Sequence, residues 1–190
     1  MPILPRVFRV DAAPTTKRMR CMATVLWAGP SAAISGRTSA ELLGFLEPVA
    51  GPIDVTGPMT RSRLPGIVFH RRRLVRSELS FVDNIPVVGA ARTLLDVCGA
   101  LDSADCEIAL DAALRMRLVT LDELHDLLEL ASRSRIAGVR MLRDFVEVRG
   151  EREALSESEL ESRVIRLLRG ASYPLPERRV EMNLGPPRPS

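Results

Sequence analysis

Hydrophobic positions recur along this chain at two periods, and the changes between them divide it into segments. From Thr16 onward, Met19, Met22, Ala23 and Leu26 fall at helical spacing until Gly29 and Pro30 interrupt the pattern, which predicts a first helix with that stripe as its buried face. Thr38 and Glu41 stand at capping-box spacing ahead of Leu42, Leu43, Phe45 and Leu46. They predict a second, shorter helix ended by Pro48 and Gly51. Between Pro52 and Val88 come four β-rich runs, Ile53 to Thr56, Ile67 to Phe69, Leu79 to Val82 and Ile85 to Val88, with Asp83 and Asn84 as the tight turn joining the last two. Such short connections predict a small, mainly antiparallel sheet. Val7, Phe8 and Val10 add one short strand near the start, cut close on its amino side by Pro2 and Pro5.

The helical period then returns. Ala91, Leu94, Leu95, Cys98 and Leu101 share one face, and Ile108 and Ala112, with Leu110, Ala113, Leu114 and Leu118, continue the pattern. Thr120 and Glu123 repeat the capping-box spacing before Leu121, Leu124, Leu128 and Ala131, and Val139, Leu142 and Val146 follow Gly138. These helices are expected to pack as a layer against the sheet or each other, which gives an α+β fold. The stretch from Gly150 to Ser156 is charged and without apolar periodicity, so a domain boundary is expected there. Beyond it, Leu160, Val164, Leu167, Leu168 and Ala171 define an amphipathic helix, and Val180 to Asn183 a short strand ahead of a Pro-rich end.

Composition narrows the function classes. A chain of 190 residues with 46% hydrophobic content can bury one full core and a second small unit. The net charge of +3 is too small to diagnose a polyanionic partner by itself, so the distribution of charge matters more than its sum. Cys21, Cys98 and Cys106 are odd in number and set among apolar residues, which suits reduced core thiols in a cytoplasmic protein. No apolar run approaches the roughly 18 residues that span a bilayer, so no membrane partner is expected. His70 and His125 are the only histidines. Neither has a cysteine or carboxylate at ligand spacing, and the chain holds no HExxH, GxSxG or paired CxxC, so neither cofactor nor metal is expected. His125, with Asp122 and Glu129 near it on one helix, reads as a surface residue making local ion pairs.

Charge is most asymmetric between Arg61 and Arg76, which holds Arg61, Arg63, Arg71, Arg72, Arg73 and Arg76 together with His70 and no acid. Arginine suits phosphate because its planar fork donates two parallel hydrogen bonds and stays charged. Strand alternation would send Arg71 and Arg73 to one face and Arg72 to the other. Two readings stand: phosphate contacts on duplex DNA, or a solvated sheet edge whose charges deter edge-to-edge pairing. With 4% aromatic residues there is little on which to stack single-stranded bases.

SGRTSAELLG (Ser35 to Gly44), the isolated His70, PVVGAARTLLDV (Pro86 to Val97) and ALDAALRMRLVT (Ala109 to Thr120), in this order and spacing, resemble the AbiEi family of type IV antitoxins and their actinobacterial relatives. The resemblance covers most of Val7 to Gly150. It implies an amino-terminal winged helix, an antitoxin domain and often a carboxy-terminal domain similar to very-short-patch-repair endonucleases. On that plan residues 1–15 hold the remnant of a winged helix, 16–150 the antitoxin-like domain, and 151–190 the start of a nuclease-like segment opened by ESELES (Glu157 to Ser162). The resemblance puts Glu161 at the first-helix glutamate of such nucleases. Divalent-metal hydrolysis needs several oxygen ligands, however, and Glu181 is the one acid between Val180 and Ser190; Ser158 and Glu161 also have the spacing of a cap. Glu161 is therefore expected to be a vestigial position. The function expected is a non-catalytic antitoxin or regulator of a type IV toxin–antitoxin system, associated with duplex DNA and paired with a nucleotidyltransferase-like toxin. A divalent-metal endonuclease and a bare protein-interaction module are the alternatives.

Overall fold

The computed structural model describes residues 1–10, 14–59, 63–132, 136–152 and 164. Its contacts divide the chain into two units, Met1–Glu147 and Val148–Ser190. Of the second unit, the described residues are 148–152 and Val164, all helical. Glu161, Glu181, the apolar stripe around Leu167 and the expected strand at Val180 lie outside the described residues.

The first unit opens with an antiparallel hairpin of β1 (Pro2–Leu4) and β2 (Val7–Phe8), where the pattern predicted a single strand. Proline is tolerated at the first position of a strand because its missing N–H leaves the ladder intact. Helix α1 (Lys17–Ala28) starts as expected, with the Thr16 hydroxyl accepting from the Met19 N–H, and stops at Gly29. Its buried face follows the predicted stripe only in part, with Ala23 buried and Met22 packed against the core. Cys21, Thr24, Val25 and Ala28 are buried, whereas Leu26 is 62% exposed. Small side chains let the helix lie close on the sheet, and the larger Met and Leu positions that dominate a hydropathy pattern fall to its flanks.

Helix α2 (Gly36–Leu43) follows the two-residue strand β3 (Ala33–Ile34), which the pattern did not reveal. The predicted Thr38–Glu41 cap does not form, because both residues lie inside the helix with other partners. Thr38 Oγ1 accepts the Asp54 N–H at 3.0 Å, and the Glu41 carboxylate is held by Lys17, by Arg37 at 3.3 Å and by the Val49 N–H at 3.2 Å. The helix ends at Gly44, left-handed at φ 90°, ahead of Pro48.

Strands β4 (Ile53–Gly57), β5 (Ile67–Arg71), β6 (Leu79–Val82) and β7 (Ile85–Val88) occupy the four predicted runs. The fold is α+β, with the small antiparallel hairpin sheet and a mixed five-stranded sheet ordered β5-β4-β3-β7-β6. β6 and β7 are antiparallel across Asp83 and Asn84, whose φ values of 48° and 62° suit the predicted tight turn. β3 lies between β4 and β7, antiparallel to the first and parallel to the second, and β4 runs parallel to β5. One face of the sheet, with Ile34, Ile53, Val55, Ile85 and Val87, packs under α1, where Trp27 meets Phe69 edge-on at 6.3 Å.

A second core belongs to the helices α3 (Ala90–Cys98), α4 (Ser103–Arg115), α5 (Leu121–Ala131) and α6, whose first-unit residues are 139–147. Leu94, Leu95, Leu110, Leu124, Leu142 and Val146 fill it, joined by Ala40 and Phe45 from α2 and its C-terminal turn. Ile108 and Leu118, placed on the predicted stripe, are 61% and 37% exposed. Cys106, Ala109, Leu110 and Ala113 bury the true face of α4. The Thr120–Glu123 box does form, in both directions, at 2.8 and 3.2 Å. All three cysteines are buried and free, and burial pushes the Cys21 thiol up to about 11. Among the described residues no helix is long and apolar enough to cross a membrane.

The two cores meet at a buried polar junction. Ser39 Oγ and Thr93 Oγ1 both donate to the Val88 carbonyl, at 2.8 and 2.9 Å, and lie 3.2 Å from each other. Thr93→Val should therefore leave Ser39 and Val88 underpaired in a dry site and lower stability by about 1 to 3 kcal/mol in urea titration. Gly138, at φ +86°, should be less tolerant still. A Cβ there would lie 2.5 Å from the Leu95 carbonyl oxygen and the Gly99 nitrogen, so Gly138→Ala should cost at least about 2 kcal/mol in the same assay.

Candidate functional site

The arginine run lies on and beyond β5, an edge strand of the five-stranded sheet. In the parallel register of β4 and β5, Thr56 lies opposite His70. Asp54, two residues earlier, therefore shares the face of His70. His70 Nε2 meets Asp54 Oδ1 at 3.0 Å, with the His70 side chain 51% exposed. The start of α2 closes over this acid. A Cβ on Gly36 would stand 3.3 Å from Asp54 Cγ, so glycine permits both the close approach and the φ of +52° found there.

Arg72 extends the ladder one residue past β5, its N–H donating to the Gly57 carbonyl at 3.0 Å. Its guanidinium turns to the side and donates to Glu78 Oε1 at 2.5 Å, while Glu78 Oε2 accepts the Val75 N–H at 3.0 Å. On α3, Arg92 Nε donates to Asp96 Oδ1 at 3.0 Å, an i,i+4 pair within the RTLLD string. These three acid–base pairs feel one another. Asp96 interacts electrostatically with Arg72 and His70, and Glu78 with Arg92.

The titration directions follow from these contacts. The hydrogen bond that the His70 ring donates to the Asp54 carboxylate holds His70 above the ordinary imidazole value, against partial burial that acts the other way. Burial raises Asp96 above the usual carboxylate range, with Arg92 opposing it. Burial would also raise Glu78, but the Val75 N–H and the Arg72 guanidinium outweigh it and hold Glu78 low.

The basic run is thus divided. His70 and Arg72 are engaged with acids. Arg63, Arg71, Arg73 and Arg76 are exposed, and among the described residues none of these four has an ion pair. Arg61 lies outside the described residues. Arg63 precedes the amino end of β5, whereas Arg71 and Arg73 fall at its carboxyl end, so about 13 Å of strand separates the two groups. Arg76 follows in a single 3₁₀ turn, Arg76–Glu78. His125 is exposed on α5, but the expected ion pairs with Asp122 and Glu129 are not formed. Among the described residues no group of three or more His, Cys, Asp or Glu side chains could hold a metal ion.

The described residues thus combine a mixed sheet packed under α1, an adjoining helical core and a charge-paired sheet edge. The model of the AbiEi antitoxin C-terminal domain matches residues 31–145, and the chain belongs to that family. No curated protein matches the chain. The matched span contains every strand of the five-stranded sheet and all three acid–base pairs. Of the residues that complete the site, Asp54, Glu78, Arg92 and Asp96 were not foreseen. An acid inside an otherwise apolar strand at Asp54, and the i,i+4 spacing of Arg92 and Asp96, were the signals that could have found them.

His70 carries a pH prediction with a definite sign. Its folded pKa lies above its unfolded value of about 6.5, so the pair's contribution is fully present below that pH and fades as pH rises through the folded pKa. His70→Gln should accordingly destabilise the protein more at about pH 5.5 than at about pH 8. In NMR titration of the wild type and Asp54→Asn, the His70 midpoint should move down in the variant; an unmoved midpoint would remove Asp54 as the cause.

Proposed function

We propose that this member of the AbiEi antitoxin family acts as the non-catalytic, DNA-associated component of a toxin–antitoxin system whose toxin is nucleotidyltransferase-like, in the cytoplasm. The observation that supports DNA association is the division of the basic run. Arg71 at the end of β5, and Arg73 and Arg76 beyond it, are exposed and without an ion pair among the described residues, with Arg63 at the strand's other end. Unpaired guanidinium groups can neutralise phosphates and release counterions. Arg72 and His70, already engaged with Glu78 and Asp54, would shape that edge instead of contacting phosphate. Phosphate contacts alone carry little sequence information, so binding by this edge should be weak and nearly sequence-independent.

Titration of labelled duplex DNA at several salt concentrations tests the proposal. Replacing Arg71, Arg73 and Arg76 together by alanine should reduce the slope of log affinity against log salt by up to about three, roughly one per lost phosphate contact. Arg72→Ala should change that slope little and lower stability instead, because it leaves the Glu78 carboxylate with one fewer donor. Unchanged DNA curves for the triple variant, accompanied by more aggregation, would mean that these charges only guard the sheet edge.

The endonuclease alternative rests on Glu161, outside the described residues. With Glu181 the one acid from Val180 onward, Mg²⁺ or Mn²⁺ should give no cleavage of duplex DNA above background. Cleavage that Glu161→Ala abolishes would replace the proposed function with that one.

A further inference from the structure

Beside the arginine edge, the structure has a groove of about 550 Å³ between the 3₁₀ turn that carries Arg76, the start of α3, and α5. Its apolar lining includes side chains that a folded chain ordinarily hides. Leu130 is 79% exposed, Val75 56% and Leu118 37%, and the partly buried Leu127 lies among them. The stripe that α5 presents to the groove runs Glu123, Asp126, Leu127 and Leu130, the i, i+3, i+4, i+7 positions of a single helical face.

Charge identifies what fits. Within Leu121–Ala131 there are four acids, Asp122, Glu123, Asp126 and Glu129, and no lysine or arginine, although the whole chain carries a net charge of +3. Glu123 and Asp126 line the groove directly, and Glu78 stands on the opposite wall. Among the described residues the one cation lining it is Arg92, paired with Asp96, and Glu78 is likewise paired with Arg72, so the acidic character lies on the α5 wall. A nucleic acid would be repelled from such a surface, and an acidic peptide likewise. An amphipathic helix with apolar side chains on one face and lysine or arginine beside them matches both features, since its apolar face covers Leu130, Leu118 and Val75 while its cations meet the rim.

We propose that this groove is a docking site for a cationic amphipathic helix of a partner protein. The groove adjoins the arginine edge at the 3₁₀ turn, and its α5 wall is opposite to that edge in charge. Leu130 is the central apolar contact, and Asp126 the acid that selects a basic partner.

The test uses the full-length protein and a labelled 18-residue peptide with leucines at i, i+3, i+4 and i+7 spacing and lysines flanking them. Three companions are needed: the same peptide with glutamate for lysine, one with serine for leucine that keeps the lysines, and the unlabelled parent. By fluorescence anisotropy the cationic amphipathic peptide should bind and be displaced by the unlabelled parent, while the glutamate and serine versions should bind at least about tenfold more weakly. Leu130→Asp should weaken the cationic peptide by about tenfold or more, and Asp126→Lys should weaken it several-fold and flatten its salt dependence. Both positions are exposed, so a circular-dichroism melt should show each variant folded; a variant that melts early is replaced by Leu130→Ser, for which the same loss is expected. Equal binding of the lysine and glutamate peptides, or undiminished binding by folded Leu130→Asp or Leu130→Ser, would overturn the proposal. So would sedimentation showing a wild-type dimer that Leu130→Asp converts to monomer, because a second copy would then be the occupant.

Discussion

The carbonyl oxygen of Val88 is the point on which the first unit depends. It ends β7 one residue before the start of α3, and it accepts hydroxyl protons from Ser39 of α2 and Thr93 of α3. A carbonyl has two lone pairs, and here two hydroxyls donate to it in a buried place. Sheet, α2 and the helical core are thereby held in one geometry. Apolar packing is only weakly directional and would tolerate small slides of α2 over the sheet; three groups that must satisfy one another would not. Thr38 extends the constraint by accepting the Asp54 N–H, so α2 is fixed at a second strand as well. Four of the six buried polar residues, Ser35, Thr38, Ser39 and Thr93, fall within the SGRTSAELLG and RTLLD strings.

Once α2 is fixed, the charges along the sheet edge follow from alternation. Residues of β5 on the face of Asp54 meet acids supplied by neighbouring elements, and those on the other face meet solvent or the Trp27 side of the sheet. Three cations and three carboxylates, His70, Arg72 and Arg92 with Asp54, Glu78 and Asp96, are interleaved. Exposed pairs of this kind contribute little singly, about 0 to 1 kcal/mol, and their larger effect is to set which arginines are available to anything outside. A count of arginines in the sequence overstates that number. The strand has already used part of the run.

Much of the element pattern was legible from residue order, and particular positions show where it was not. The four β runs, the turn at Asp83 and Asn84, the Thr16 cap and the Thr120–Glu123 box rest on local chemistry, and they stand in the fold. The buried face of α1 and the exposure of Ile108 do not, since which stripe is inward depends on what lies across from it. Alanine, cysteine and threonine carry weak signals in a hydropathy pattern, yet they decide how closely a helix can lie. β3 has only two residues, too few for any periodicity, although it lies at the centre of the sheet. The Thr38–Glu41 spacing failed for a related reason. A hydroxyl three residues before a glutamate is a cap only if no stronger partner reaches it first, and the Asp54 backbone comes from a strand sixteen residues away.

The same division explains why the family strings and the surfaces carry different information. SGRTSAELLG and RTLLD supply the buried hydroxyls of Ser39 and Thr93 that secure internal geometry. Residues offered to solvent, Arg71, Arg73 and Arg76 at one place and Asp126 and Leu130 at another, lie outside those strings. A fold held by a few buried hydroxyls leaves its surface free to differ in charge from one region to the next. Here the surface does differ, with an arginine edge at the end of β5 and an acidic, apolar groove beside α5. A single polyanion-binding face would be uniformly basic; an arginine edge that adjoins an acidic α5 wall at the 3₁₀ turn instead suits a protein that meets chemically unlike partners.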